Sequence, residues 1–93
     1  MKLKYIGVGK AGSQRVVTFE ELHTGFRFRI WEFSGKLSAG DPWDPVTGKA
    51  LQRCDMPHYR TAYHQGYKMA GAILKKLDLK RAVRPASAQL SLF

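Results

Sequence analysis

The apolar positions of this chain change period once along its length. Leu3 to Val8 is a short apolar run bounded by glycines, Arg15 to Glu20 carries Val16, Val17 and Phe19, and Phe26 to Phe33 alternates most cleanly. In that last run Phe26, Phe28 and Ile30 share one face, while Arg27, Arg29, Trp31 and Phe33 share the other. Gly9-Lys10-Ala11-Gly12-Ser13 and His23-Thr24-Gly25 supply the turn residues between the runs. The pattern predicts a three-stranded antiparallel meander, and a meander needs something laid over its apolar face. From Pro57 to Leu79 the period becomes helical. Tyr59, Ala62, Tyr63, Gly66, Ala70, Ile73, Leu74 and Leu77 recur at three- and four-residue steps and form one stripe. Pro57 suits a first helical turn, Asp55 is placed to cap it, and Lys75 and Lys76 sit near its expected negative end. Gly66 lies on the stripe, which implies a close approach to the sheet; Gly71 has no role visible in the sequence.

Between sheet and helix, Ser34 to Met56 is longer than a usual connection and rich in turn signals: Asp41-Pro42, Asp44-Pro45 and Thr47-Gly48. It is either a functional loop or a small extra hairpin, with Trp43 and Val46 expected to anchor it on the core. The expected fold is therefore α+β, a three-stranded antiparallel meander packed by one C-terminal helix (βββα). The domain is expected to span 1–79, with 34–56 as its long loop, followed by a disordered basic tail over 80–93.

Composition narrows the partners. The chain has 93 residues, and its 16 Lys and Arg against 7 Asp and Glu give a net charge of +9, which favours a polyanionic partner such as DNA. A lone cysteine, Cys54, allows no internal disulfide, and no apolar run reaches membrane-spanning length. These features suit a cytosolic protein with no membrane partner. The sequence does not fix an oligomeric state.

The tail Lys80-Arg81-Ala82-Val83-Arg84-Pro85-Ala86-Ser87-Ala88 is basic, rich in small residues and interrupted by proline, the composition of a tether with a reach of at most about 30 Å. It ends on three large apolar side chains, Leu90, Leu92 and Phe93. Exposed apolar groups of that size call for a pocket, either on a partner or, if the segment folds back as a short strand, on the chain's own domain. The pentapeptide Gln89-Leu90-Ser91-Leu92-Phe93 resembles the motif Gln-Leu-(Ser/Asp)-Leu-Phe by which bacterial proteins bind the DNA polymerase III sliding clamp, and it matches at all five positions. The resemblance covers the tail alone. It implies that Leu92 and Phe93 enter the clamp's main hydrophobic pocket with Leu90 beside them, and that Gln89 occupies the adjoining subsite.

Within the domain, Arg27, Arg29 and Trp31 form a nucleic-acid candidate, since guanidinium groups meet phosphates while an indole stacks on any base; single-stranded DNA suits such a surface. The competing expectation is that the long loop packs over this face and buries Trp31 and Phe33 while the arginines reach outward. Lys75, Lys76, Lys80, Arg81 and Arg84 make a second basic cluster beside the clamp-type peptide. Cys54, His58 and His64 have a spacing loosely like a zinc set, but two histidines six apart on a helix point to different sides, so no metal or other cofactor is expected. Neither a nucleophile with its base nor a phosphate-cradling loop is present, and the chain is not expected to be an enzyme. The enzymatic alternative is a metal-dependent nuclease assembled from Glu20, Glu21, Asp41 and Asp44, whose cleavage would be abolished by removing Glu20 or Asp44. The expected role is a replication- or repair-associated protein, carried by a phage or other mobile element, that uses the clamp as accessory factor or competitive inhibitor. The alternative is a nucleic-acid-binding module or host-directed inhibitor whose tail is structural.

Overall fold

The strands are joined where the backbone can take left-handed turns. In the computed structural model, which describes residues 2–91 and the side chains of 2–80, Gly12 sits at φ 63° between β1 (Leu3–Ala11) and β2 (Gln14–Glu21). Ser34 and Gly35, at φ 51° and 81°, close the two-residue turn between β3 (Arg27–Phe33) and β4 (Lys36–Ala39). Two positive φ values are what a type I′ turn requires, and that turn matches the natural twist of a hairpin. The sheet is a four-stranded antiparallel meander in the order β1-β2-β3-β4, rather than the three strands expected. The fourth strand was hidden because only Leu37 and Ala39 mark its apolar side, too few to show a period. The first two strands also run further into their turn than expected, pairing Ala11 with Gln14 and leaving only Gly12 and Ser13 as the loop.

Between β2 and β3 the chain turns around a carboxylate. Glu21 is 1% exposed, and it accepts hydrogen bonds from the His23 N–H (2.8 Å), the Thr24 N–H (2.9 Å) and the Thr24 hydroxyl (2.9 Å). Burial alone would raise its pKa; these donors outweigh burial, and the net shift is downward.

The long segment after β4 is a second small hairpin. Trp43 pairs with Arg27, through Arg27 N–H to Trp43 O at 3.0 Å and Trp43 N–H to Arg27 O at 2.9 Å, and again with Ala50. Asp44 ties the tip, accepting from Val46 N–H through its side chain and from Gly48 N–H through its carbonyl. Val46, expected on the core, is 90% exposed at that tip. The hydrogen bonds of the Asp44 turn hold the hairpin end without an apolar anchor.

One face of the sheet is covered by α1 (Tyr59–Ser91). Val17, Phe19, Phe28 and Ile30 from the sheet are fully buried against Met56, Ala62, Tyr63, Ala70 and Leu74. Fully burying a Val, Ile, Met or Phe side chain contributes about 1.5–3 kcal/mol, so Val17, Phe19, Phe28, Ile30 and Met56 together carry most of this core. Gly66 is where the helix backbone meets the Phe28 ring: a Cβ there would lie 2.8 Å from Phe28 Cε2 and 3.1 Å from Phe28 Cζ. The same construction at Gly71 meets nothing within 4 Å. At the far end Arg15 joins sheet to helix, donating to Glu32 at 2.9 Å and to Asp78 at 2.7 Å.

The helix departs from expectation at both ends. It starts at Tyr59, because His58 takes φ 55° and the first helical bond runs from Ala62 N–H to His58 O. Asp55 serves the short 3-10 turn Arg53–Asp55 instead, accepting from the Gln52 N–H at 2.9 Å. The helical backbone then continues past Leu79 to Ser91, where a disordered tail was expected, so Lys75 and Lys76 lie mid-helix. Ala82, Ala86 and Ala88 favour helix, whereas Pro85 cannot donate its bond and weakens the helix there by about 3 kcal/mol.

Candidate nucleic-acid interface

The face of the sheet away from the helix follows from strand register. Lys4, Glu20 and Arg27 are aligned partners across β1, β2 and β3; so are Gly7, Thr18 and Arg29, and Gly9, Val16 and Trp31. Ser38 continues the Trp31 row on β4, Lys36 pairs with Phe33, and Trp43 pairs with Arg27. Direct partners in an antiparallel sheet point to the same side, so these residues share one surface.

That surface is open. Phe33 is 51% exposed, Arg29 is exposed, and Trp31, Trp43, Val16 and Thr18 are half-buried. The long segment does not fold over it, because its hairpin hangs beside β3 and contributes Trp43 to the surface. Arg29 lies 4.2 Å from the Trp43 ring centroid, a cation–π contact that holds the guanidinium over the sheet. Arg27 is matched by Glu20 at 3.0 Å. Trp31 is braced from below by Gly40, where an added Cβ would lie 3.3 Å from the indole Nε1. Gly40 is itself fixed from the helix side, its carbonyl accepting a 2.7 Å hydrogen bond from the Tyr63 hydroxyl. Burial pushes the Tyr63 phenol up to about 12.

The structure thus brings Arg27, Arg29 and Trp31 together and adds Trp43, which the sequence had assigned to the core. The turn signals at Asp41-Pro42 and Thr47-Gly48 pointed to this hairpin, but not to its partner strand. Lys75, Lys76 and Lys80 are exposed on the helix, which packs on the opposite face, so they form a separate basic surface. The side chains of Arg81, Arg84, Gln89, Leu90 and Ser91, and Leu92 and Phe93 altogether, lie outside the described residues.

Elsewhere, a groove of about 630 Å³ lies between the Glu21 turn and the start of the helix, lined by Lys2, Glu21, Leu22, His23, His58 and Thr61. Glu21 is committed to its own turn, Glu20 to Arg27, and Asp44 to its hairpin tip. Cys54 is exposed, and among the described residues no three His, Cys, Asp or Glu side chains converge on a metal-sized site. Nor, among them, is any helix long and apolar enough to cross a membrane. No protein-family model, no curated protein and no solved structure matches this chain.

Proposed function

We propose that this chain is a small basic replication- or repair-associated protein that docks on the bacterial sliding clamp through Gln89, Leu90, Ser91, Leu92 and Phe93 and brings its domain to DNA. The observation that carries this reading is the five-residue match to the clamp-binding motif. Burial of Leu92 and Phe93 in a pocket supplies about 1.5–3 kcal/mol each. Ordering the peptide subtracts several kcal/mol, so the contact is weak and suited to reversible recruitment. The net charge of +9 suits a protein held near the duplex that a clamp encircles.

A pull-down with purified clamp, comparing the full chain with a version ending at Ser87, tests the docking; equal recovery of clamp by both overturns it. The sign of the effect follows from synthesis on a primed template with excess protein. Stalling that is relieved by Leu92→Ala with Phe93→Ala identifies a competitive inhibitor, and unaffected synthesis argues against inhibition.

The second reading, a nucleic-acid-binding module, is favoured by the open basic sheet face. It predicts that deleting Ala88 to Phe93 leaves nucleic-acid affinity intact. Arg27→Ala with Arg29→Ala would lower both the affinity and its salt dependence.

A further inference from the structure

The solvent-facing side of the sheet has a composition that its fold does not need. Lys4, Arg27, Arg29 and Lys36 are its basic side chains and Glu20, already paired with Arg27, is its carboxylate. The aromatic groups stand in the middle of this positive field: Trp31 and Phe33 alternate with Glu32 on β3, and Trp43 lies beside Arg29. Their surroundings are low. Gly7 and Gly9 remove two side chains from β1 on this side, and Val16 and Ser38 flank Trp31. A surface built only for solubility would carry charge without a half-exposed phenylalanine, and a protein-docking patch would be apolar at its centre with charges depleted there.

Resting on the reading that the domain contacts nucleic acid, we propose that this face is a stacking platform for single-stranded nucleic acid. Phe33 and Trp31 offer π-faces to unpaired bases, and Arg29, Lys36 and Lys4 meet the phosphates. Arg29, Trp31 and Phe33 follow one another on the same side of β3 at steps of about 6.8 Å. That is twice the roughly 3.4 Å rise of a stacked strand, so an unstacked strand running along β3 places successive nucleotides over successive side chains. A duplex presents only base edges and backbone, and the rings have nothing to stack on. Trp43 acts as a positioning residue, holding Arg29 over the sheet instead of letting it extend into solvent.

The test uses the full chain and fluorescence anisotropy with an oligothymidylate of about 12 nucleotides, an oligouridylate of equal length and the matching duplex. The proposal expects the single strands to bind at least about 10-fold more tightly than the duplex. Phe33→Ala should weaken single-strand binding by between about 5-fold and 100-fold and leave duplex binding unchanged. Phe33→Leu, which keeps apolar area but has no π-face, should behave like Phe33→Ala. Because Phe33 is half-exposed, both variants are expected to melt like the parent. Tight binding of either single strand supports the platform, and a preference between them reflects the sugar or the thymine methyl group. If Phe33→Ala binds single strands like the parent while Lys75→Ala with Lys76→Ala weakens binding, the platform is wrong and the nucleic-acid reading stands. If neither single strands nor duplex bind, both fall.

Discussion

Replacing Gly66 with alanine adds one methyl group where the helix backbone meets the Phe28 ring, and two effects of known sign then compete. Alanine in a helix interior is worth about 1 kcal/mol over glycine. Against this, the new carbon would sit 2.8 Å from Phe28 Cε2 and 3.6 Å from Ile30 Cγ1, and overpacking of a filled core costs about 1–3 kcal/mol. The Phe28 ring has little freedom to yield. It is fully buried, its centroid lies 4.4 Å from that of Tyr63 and 5.8 Å from that of Phe19, and Tyr63 is tied to the Gly40 carbonyl. With little room to yield, the upper part of that overpacking range applies, about 2–3 kcal/mol, which less the helix propensity leaves Gly66→Ala destabilising by about 1–2 kcal/mol net, a fall in Tm of about 4–16 °C for a domain of this size. Gly71→Ala is the matched control: it gains the same propensity, meets nothing within 4 Å, and should be stabilising by up to about 1 kcal/mol. Thermal and urea melts followed by circular dichroism measure both. A Gly66→Ala protein as stable as the parent would refute the close packing of helix on sheet, whatever Gly71→Ala does.

Further predictions concern the turns and the acid limb of stability. Glu21 has a lowered folded pKa, so its contribution is fully present above the ordinary carboxylate range near 4.3 and is lost as pH falls through the folded value. Glu21→Gln should cost about 1.5–3 kcal/mol at pH 7 and flatten the loss of stability as pH falls below the ordinary carboxylate range, as read from urea melts at acid pH. A variant whose acid limb matches the parent's would remove Glu21 as its cause. Ser34→Asn, giving the Asn-Gly pair that a type I′ turn prefers, and His58→Gly, relieving a left-handed histidine, should each be stabilising by about 0.5–1 kcal/mol in the same melts. Loss of stability in either would mean that the side chain makes a contact worth more than the backbone strain.

Much of the fold was written in the periodicity. Alternation over Phe26 to Phe33 placed Phe28 and Ile30 inward and Arg29, Trp31 and Phe33 outward, and the helical stripe from Tyr59 to Leu77 named the residues that pack on them. Gly66 was legible as a close approach because it fell on that stripe. β4 was not, since four residues with two modest apolar side chains cannot establish a period; the Ser34-Gly35 turn was the signal that could have found it. Trp43 was misplaced for a related reason. A tryptophan in a long segment reads as a core anchor until the hydrogen bonds to Arg27 show which strand it joins, and pairing partners far apart in sequence leave no local trace. The helix start was missed because Pro57 suits a first turn, while nothing in the sequence announces the left-handed backbone of His58. At the candidate interface, sequence supplied the strand face and the structure supplied its neighbours.

The claim most exposed to a single experiment is that Gln89 to Phe93 binds the clamp pocket. Isothermal titration of purified sliding clamp with the full chain, beside Phe93→Ala, measures it without relying on the domain. Saturable binding of the parent is predicted, with at least about a 10-fold weakening on loss of the ring. Equal affinity for parent and variant, or no binding by either, would contradict it.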